Sequence, residues 1–293
     1  MTWKTKILRK PKKQLFHYTT IDGLIGIFKS KKIWATSAFH LNDKAELSLA
    51  ARIFNEAIDE VTKKMGFPPE LALHPADYKE DVRKTFLRSL FGLSGEARRQ
   101  NIFLCSFSEA ENQLSQWRAY CPGGYGFCIG FDYPQLEKQI ERQKFILAKC
   151  IYKKDEQRQI VNRYVMEAIE PRLDGLNDKN LITRMVASVV ELFSILPILK
   201  DISFSEEREW RLISVLQPDD RRVEFRAGRA TLIPYYEFEL TDEKNKTLPI
   251  KSIIVGPTPN EDESLQAVKT FLAQEGMSEQ VAVISSKIPY REV

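Results

Sequence analysis

The segment of this chain best suited to chemistry is ERE at 207–209, with Arg211 two residues further on. Side chains alternate between the faces of a β-strand, so a strand here is expected to place Glu207, Glu209 and Arg211 on one face and Arg208, Trp210 and Leu212 on the other. On a solvated sheet such a row is an ordinary charge ladder. Facing a cleft, paired carboxylates shift each other's pKa, supply a general base or oppose a developing positive charge. His17, Tyr18 and Thr19 put a histidine and a hydroxyl at the end of a first strand, beside a helix start, where they could meet a ligand or be satisfied by the backbone. Ser106 and Ser108 end an apolar strand. Residues 114–120 (LSQWRAY) follow, gathering Ser115, Gln116, Trp117, Arg118 and Tyr120 into less than two helical turns. Trp117 and Tyr120 are three apart and share a helix face, which suits stacking on a nucleobase or nicotinamide ring and equally suits core packing. Asn42 and Asp43 precede Glu46, so Asp43 and Glu46 have capping-box spacing, and the same groups could face a cleft instead.

Several enzyme classes are excluded by absence, since the chain has no G-x-x-x-x-G-K-[ST] loop, no H-E-x-x-H and no G-x-S-x-G elbow. Gly123, Gly124 and Gly126 lead into a strand rather than a helix and read as a tight turn, not a phosphate cradle. His17, His40 and His74 are too dispersed to define a zinc site, so no metal ligands are assigned. Cys105, Cys121, Cys128 and Cys150 show no C-x-x-C spacing and sit mostly in apolar runs, as reduced thiols of a cytoplasmic protein do.

The elements that must position these residues mix strands and helices without strict alternation. Strands are expected over 14–19, 32–36, 102–107, 125–131, 145–152, 208–215, 223–225, 230–238 and 250–255, with a closing helix and strand. Asp22 is expected to cap a helix ending near Ser30, a second helix runs from 42 towards Val61, residues 76–99 are polar and helical, and two helices fill 155–199. No linker divides the chain. The expected fold is therefore a single α+β domain over 14–293, with a mixed, largely antiparallel central sheet and helical insertions near 43–99 and 155–200. With 293 residues and 43% hydrophobic content, such a domain buries about three-quarters of its unfolded surface. The apolar stretch 185–199 is broken by Glu191 and Pro197 and is short for a membrane span, so it reads as a buried helix. No secretory leader is expected, because residues 1–13 contain no apolar run before a cleavage site. Those residues hold six bases, Lys4, Lys6, Arg9, Lys10, Lys12 and Lys13; removing them from 44 leaves 38 against 40 acidic residues. The net +4 thus belongs to a basic arm over 1–13, the only part suited to nucleic acid.

Nine segments in fixed order resemble the bacterial family of unknown function 2971 (DUF2971): LFHYT at 15–19, IWAT at 33–36, LNDKAE at 41–46, CSFSE at 105–109, LSQWRAY at 114–120, GYGFCIGF at 124–131, EREWR at 207–211, Phe225-Arg226 with Pro234-Tyr235, and IVGP at 254–257. More distantly, a first strand bearing HYT, a serine-bearing middle strand and a late E-x-E strand are similar to the ADP-ribosyltransferase fold. That resemblance implies NAD as substrate. His17 and Thr19 would grip the nicotinamide riboside, with Ser106 or Ser108 beneath it, and Glu209 would stabilise an oxocarbenium-like transition state. Tyr18, Asn42, Asp43, Trp117, Tyr120 and Arg211 complete the expected ligand-binding set, with Glu207 beside Glu209 as the catalytic pair. The implied activity is ADP-ribosyl transfer or NAD hydrolysis, in a toxin or phage-defence effector, with an unnamed macromolecular acceptor. Two alternatives remain open on the sequence: a metal-dependent nuclease using Asp43, Glu46, Glu207 and Glu209, and a non-catalytic nucleotide-binding adaptor.

Overall fold

In a computed structural model of the chain, the residues described are 7, 10–11, 14–41, 48–50, 52–54, 56–57, 60, 101–121, 125–173, 195–216, 221–228, 230–244 and 246–289. Asn42, Asp43 and Glu46 lie outside them, as do the polar stretch 76–99 and residues 174–194.

Strand β1 (Leu15–Thr19) runs into helix α1 (Ile21–Ser30). The helix is capped by Thr20, whose hydroxyl accepts the Gly23 N–H at 3.1 Å, and not by Asp22 as expected. Asp22 sits in the first turn, where its charge still favours the helix dipole. Lys31, at φ 57°, ends the helix in a left-handed turn into β2 (Lys32–Ser37). Then come β3 (Asn101–Ser108), the short helix α2 (Leu114–Tyr120), β4 (Phe127–Phe131), α3 (Tyr133–Arg142), β5 (Ile146–Lys149) and α4 (Lys154–Leu173). The C-terminal part supplies β6 (Glu209–Leu216), β7 (Val223–Ala227), β8 (Leu232–Glu239), β9 (Ile250–Val255), α5 (Glu261–Gln274) and β10 (Ala282–Ser285). Pattern reading passes over α3, although Asp132 caps it by accepting the Gln135 N–H and Pro134 occupies its first turn.

The strands form one mixed, largely antiparallel sheet, as expected for an α+β domain. Its organisation turns on β3. One edge of β3 pairs with β6 along its whole length, from Asn101 opposite Leu216 to Ser108 opposite Glu209. The other edge is shared, because β2 pairs at Phe103 and Leu104 while β1 pairs only at Ser108, opposite Phe16. Beyond β1 the sheet continues through β4, β9 and β10, and beyond β2 through β8 and β7. The sheet therefore forks at β3, and residues 105–107 face a notch between the branches.

The pleat of β3 and β6 separates two cores. Phe103, Cys105, Phe107, Trp210 and Leu212 face one core, covered by α1, α3 and α5 through residues such as Phe28, Leu136 and Leu272. Ile102, Leu104 and Ile213 face the other, packed with Tyr164 and Val165 of α4 and with Phe54. A third, smaller cluster joins Phe16, Tyr18, Trp117, Cys121, Cys128 and Ile254. The end of the apolar stretch, 195–199, is buried, but Pro197 makes it a 3-10 turn over Leu196–Ile198 and not a regular helix. The basic arm is not wholly solvated: Ile7 is 4% exposed in the second core, Pro11 is buried, and Lys10 bonds Glu137 at 2.8 Å. Among the described residues no helix is long and apolar enough to cross a membrane.

Candidate functional site

At the fork lies a cleft of about 330 Å³ including its mouth. Its floor comes from three adjacent strands: Phe16, His17 and Tyr18 of β1, Ser106, Phe107 and Ser108 of β3, and Glu209 of β6. Gln116 and Tyr120 of α2 form one wall, and Glu207 reaches in from the turn before β6. His17, Ser106 and Glu209, separated by 89 and 103 residues in their successive contacts, thus meet in one place.

The chemistry of the floor is set by a buried charge cluster. Glu209 is 3% exposed and its two oxygens are fully engaged. Oε1 accepts from Ser106 Oγ at 2.6 Å and Arg211 Nε at 2.8 Å; Oε2 accepts from Lys200 Nζ at 2.7 Å and Arg211 Nη2 at 3.1 Å. The Cys150 thiol also approaches Oε2 at 3.6 Å. Burial opposes ionisation of Glu209, but the Arg211 and Lys200 charges and their hydrogen bonds overcome it and hold the carboxyl down at about 2. Lys200 Nζ also donates to Glu207 Oε2 at 2.5 Å. Burial lowers an ammonium pKa, yet Glu209 and Glu207 around Lys200 raise it and keep it charged. Glu207 behaves oppositely to Glu209: burial pushes its pKa up, and Lys200 offsets this only in part. Two carboxylates one residue apart therefore differ in kind, one locked as an anion and one nearer to accepting a proton.

The expectation that Glu207 shares a strand face with Glu209 is corrected. Strand β6 begins at Glu209, and Glu207 ends a 3-10 turn over Ile202–Glu207. Arg208 between them is left-handed at φ 45°, its N–H bonded to the Ser205 carbonyl, so Glu207 is brought to the cleft by a reversal of the chain and not by strand alternation. Tyr152 Oη accepts the Glu209 N–H at 2.8 Å and fixes the start of the strand.

His17 Nδ1 lies 2.9 Å from the Ser106 carbonyl. A carbonyl can only accept, so Nδ1 carries the proton and Nε2 keeps its lone pair. This bond takes the place of a ladder bond that β1 and β3 lose where they part. Burial lowers the His17 pKa, and the Ser106 carbonyl opposes that only partly, so the ring is neutral at pH 7.

The other expected residues divide by position. Tyr120 is 41% exposed and lines the cleft, its phenol pushed up to about 12 by burial and by the two glutamates. The Tyr18 ring lines it too, but its hydroxyl is engaged, donating to the Ala110 carbonyl at 2.8 Å and accepting the Gln113 N–H at 2.9 Å. Ser108 Oγ donates to the Glu207 carbonyl at 2.7 Å and accepts the Ala110 N–H at 2.9 Å, tying the two turns together. Arg211 sits behind Glu209, also donating to the Pro197 carbonyl. Trp117 is not on the cleft: it is fully buried, edge-on to Tyr18 at 4.8 Å, with its indole N–H on Asn112 Oδ1 at 2.9 Å. Thr19 is 8% exposed and its hydroxyl is turned against Gly23 of α1, away from the cleft lining. Sequence reading missed Lys200, the cation that couples the two glutamates, because a lysine after an apolar run carries no motif. It noticed Gln116 but gave it no role. Among the described residues no group of three or more His, Cys, Asp or Glu side chains is arranged to hold a metal ion.

Residues 116–212 match the model of the family described as protein of unknown function (DUF2971). The matched segment begins at Gln116 and includes Lys200, Glu207 and Glu209, and it supports the family assignment read from the motifs. No curated protein and no solved structure matches the chain.

Proposed function

We propose that the chain is an NAD-using enzyme that breaks the bond between nicotinamide and ribose, passing ADP-ribose to an acceptor or to water. The observation that supports this reading is the meeting of His17, Ser106 and Glu209 from three adjacent strands at the fork of the sheet. As the C–N bond breaks, its electron pair leaves with neutral nicotinamide and the ribose gains oxocarbenium character. Glu209, held ionised by Lys200 and Arg211 and oriented by Ser106, supplies a fixed negative group towards that cation. Glu207, with its raised pKa, takes the proton from the attacking hydroxyl or water. His17 Nε2 accepts a hydrogen bond from the substrate. An effector role in toxicity or phage defence, with an acceptor protein or nucleic acid, belongs to this same proposal.

Nicotinamide release from NAD by the purified chain tests it, with Glu207→Gln as the informative variant, since Glu209 also holds the fold together. The reading expects release that falls at least tenfold in Glu207→Gln, with unchanged NAD affinity. Absence of both NAD binding and nicotinamide release in the wild-type chain would refute it.

A further inference from the structure

The side-chain amide of Gln116 stands on the cleft wall beside the exposed Tyr120. Gln116 is 5% exposed, lines the cleft, and makes no side-chain hydrogen bond among the described residues. The backbone beneath it is satisfied, the Gln116 and Trp117 N–H groups both bonding the Gln113 carbonyl at 3.0 and 3.1 Å, whereas the adjacent Ser115 Oγ is buried without a partner among the described residues. Helix α2 is also fixed in place, through Trp117 on Asn112 and through the Gln113 N–H on Tyr18 Oη. The amide is thus held at a set point on the wall with its donor and acceptor unused, facing a floor that carries His17 and the two glutamates.

A glutamine amide offers one oxygen acceptor beside N–H donors in a single plane. Another amide satisfies both in plane, as does the donor–acceptor edge of a nucleobase, and ADP-ribose, which keeps the adenine and lacks the nicotinamide, separates the two. A carboxylate offers acceptors only, and here it would also meet Glu207 and Glu209. We infer that Gln116 is a specificity-determining residue that pairs in plane with a primary carboxamide on the substrate. This rests on the NAD reading, in which the carboxamide is that of nicotinamide, and it assigns recognition of that group to α2.

Calorimetric titration of the wild-type chain and of Gln116→Met with NAD, with its nicotinic-acid counterpart and with ADP-ribose tests the pairing. Saturation-transfer NMR with benzamide and benzoate runs beside it. The wild type is expected to favour NAD over the acid by about tenfold to a hundredfold. Gln116→Met is expected to narrow that ratio to within about threefold, to leave ADP-ribose affinity unchanged, and to melt no lower than the wild type, since no internal bond is lost. An unchanged ratio in Gln116→Met overturns the inference. A parallel loss of ADP-ribose affinity overturns it too, by moving the contact to a base edge. If NAD fails to bind but benzamide binds the wild type and not Gln116→Met, the NAD reading falls and the carboxamide pairing stands. If neither binds, both fall.

Discussion

Replacing Glu209 with Gln keeps the shape of the side chain and removes its charge, which isolates what the buried cluster contributes. The carboxyl is drawn from an ordinary 4.5 to about 2, and at about 1.4 kcal/mol per unit this corresponds to about 3 kcal/mol of stability at neutral pH. The sign follows from the direction of the shift. A depressed folded-state pKa stabilises above the unfolded value, so the contribution is complete above pH 4.5 and disappears as pH falls towards 2. Glu207 acts against this, because its raised pKa favours the folded state only where it is protonated. Glu209→Gln also leaves Lys200 and Arg211 with Glu207 as the remaining carboxylate of the cluster, and breaking a buried pair costs about 3–5 kcal/mol. Urea unfolding at pH 7 is expected to show a loss of about that size, and a melting temperature lower by about 6 °C or more. Repeated from pH 6 downward, it should show a shallower acid limb for the variant than for the wild type. Glu207→Gln is expected to be close to neutral at pH 7. Equal stability of Glu209→Gln and wild type, with superimposable acid limbs, would show that the cluster is not the anchor described.

Gly256→Ala should destabilise by about 1–3 kcal/mol, because a Cβ there would lie 2.9 Å from the Trp117 ring and 3.0 Å from the Gly126 carbonyl oxygen; denaturant titration reads the loss, and wild-type stability would contradict the tight fit. The four thiols are all buried, at 0 to 4% exposure, and burial raises the pKa of Cys105, Cys121 and Cys128. Ellman's reagent at pH 8 is therefore expected to label none within minutes in the native protein and all four in guanidinium, and rapid native labelling would refute that burial. Ile7→Ala is expected to cost about 2–4 kcal/mol, since Ile7 belongs to the second core; a neutral result by thermal melting would return the N-terminal segment to the solvent.

The strands were legible because their residues sit on faces that must be buried. IFLCSF at 102–107 and YGFCIGF at 125–131 are apolar on both faces, and β3 and β4 lie inside the sheet with partners on both edges. Helix α3 was missed because only one of its faces is apolar; Leu136 and Ile140 are too few to outweigh its polar residues, and its cap lies in Asp132. The seven-residue α2 was legible as a helix, but its two candidate aromatics were not distinguishable by spacing. Tertiary packing separates them, burying Trp117 against Tyr18 and leaving Tyr120 on the cleft.

The sequence by itself determined the α+β class, the order of most strands, and the residue types available for chemistry at 17, 106 and 207–211. These follow from local pattern, which strand alternation and apolar content encode directly. Only the tertiary structure decided that β1 and β2 divide one edge of β3 and so open a notch beside Ser106. It alone placed Lys200 between the two glutamates and shifted their pKa values in opposite directions. The physical reason is that pKa and access depend on which charges and dipoles lie within a few ångströms: Ser106 reaches Glu209 from 103 residues away, while Lys200, seven and nine residues before the two glutamates, meets both only because the chain reverses at Arg208.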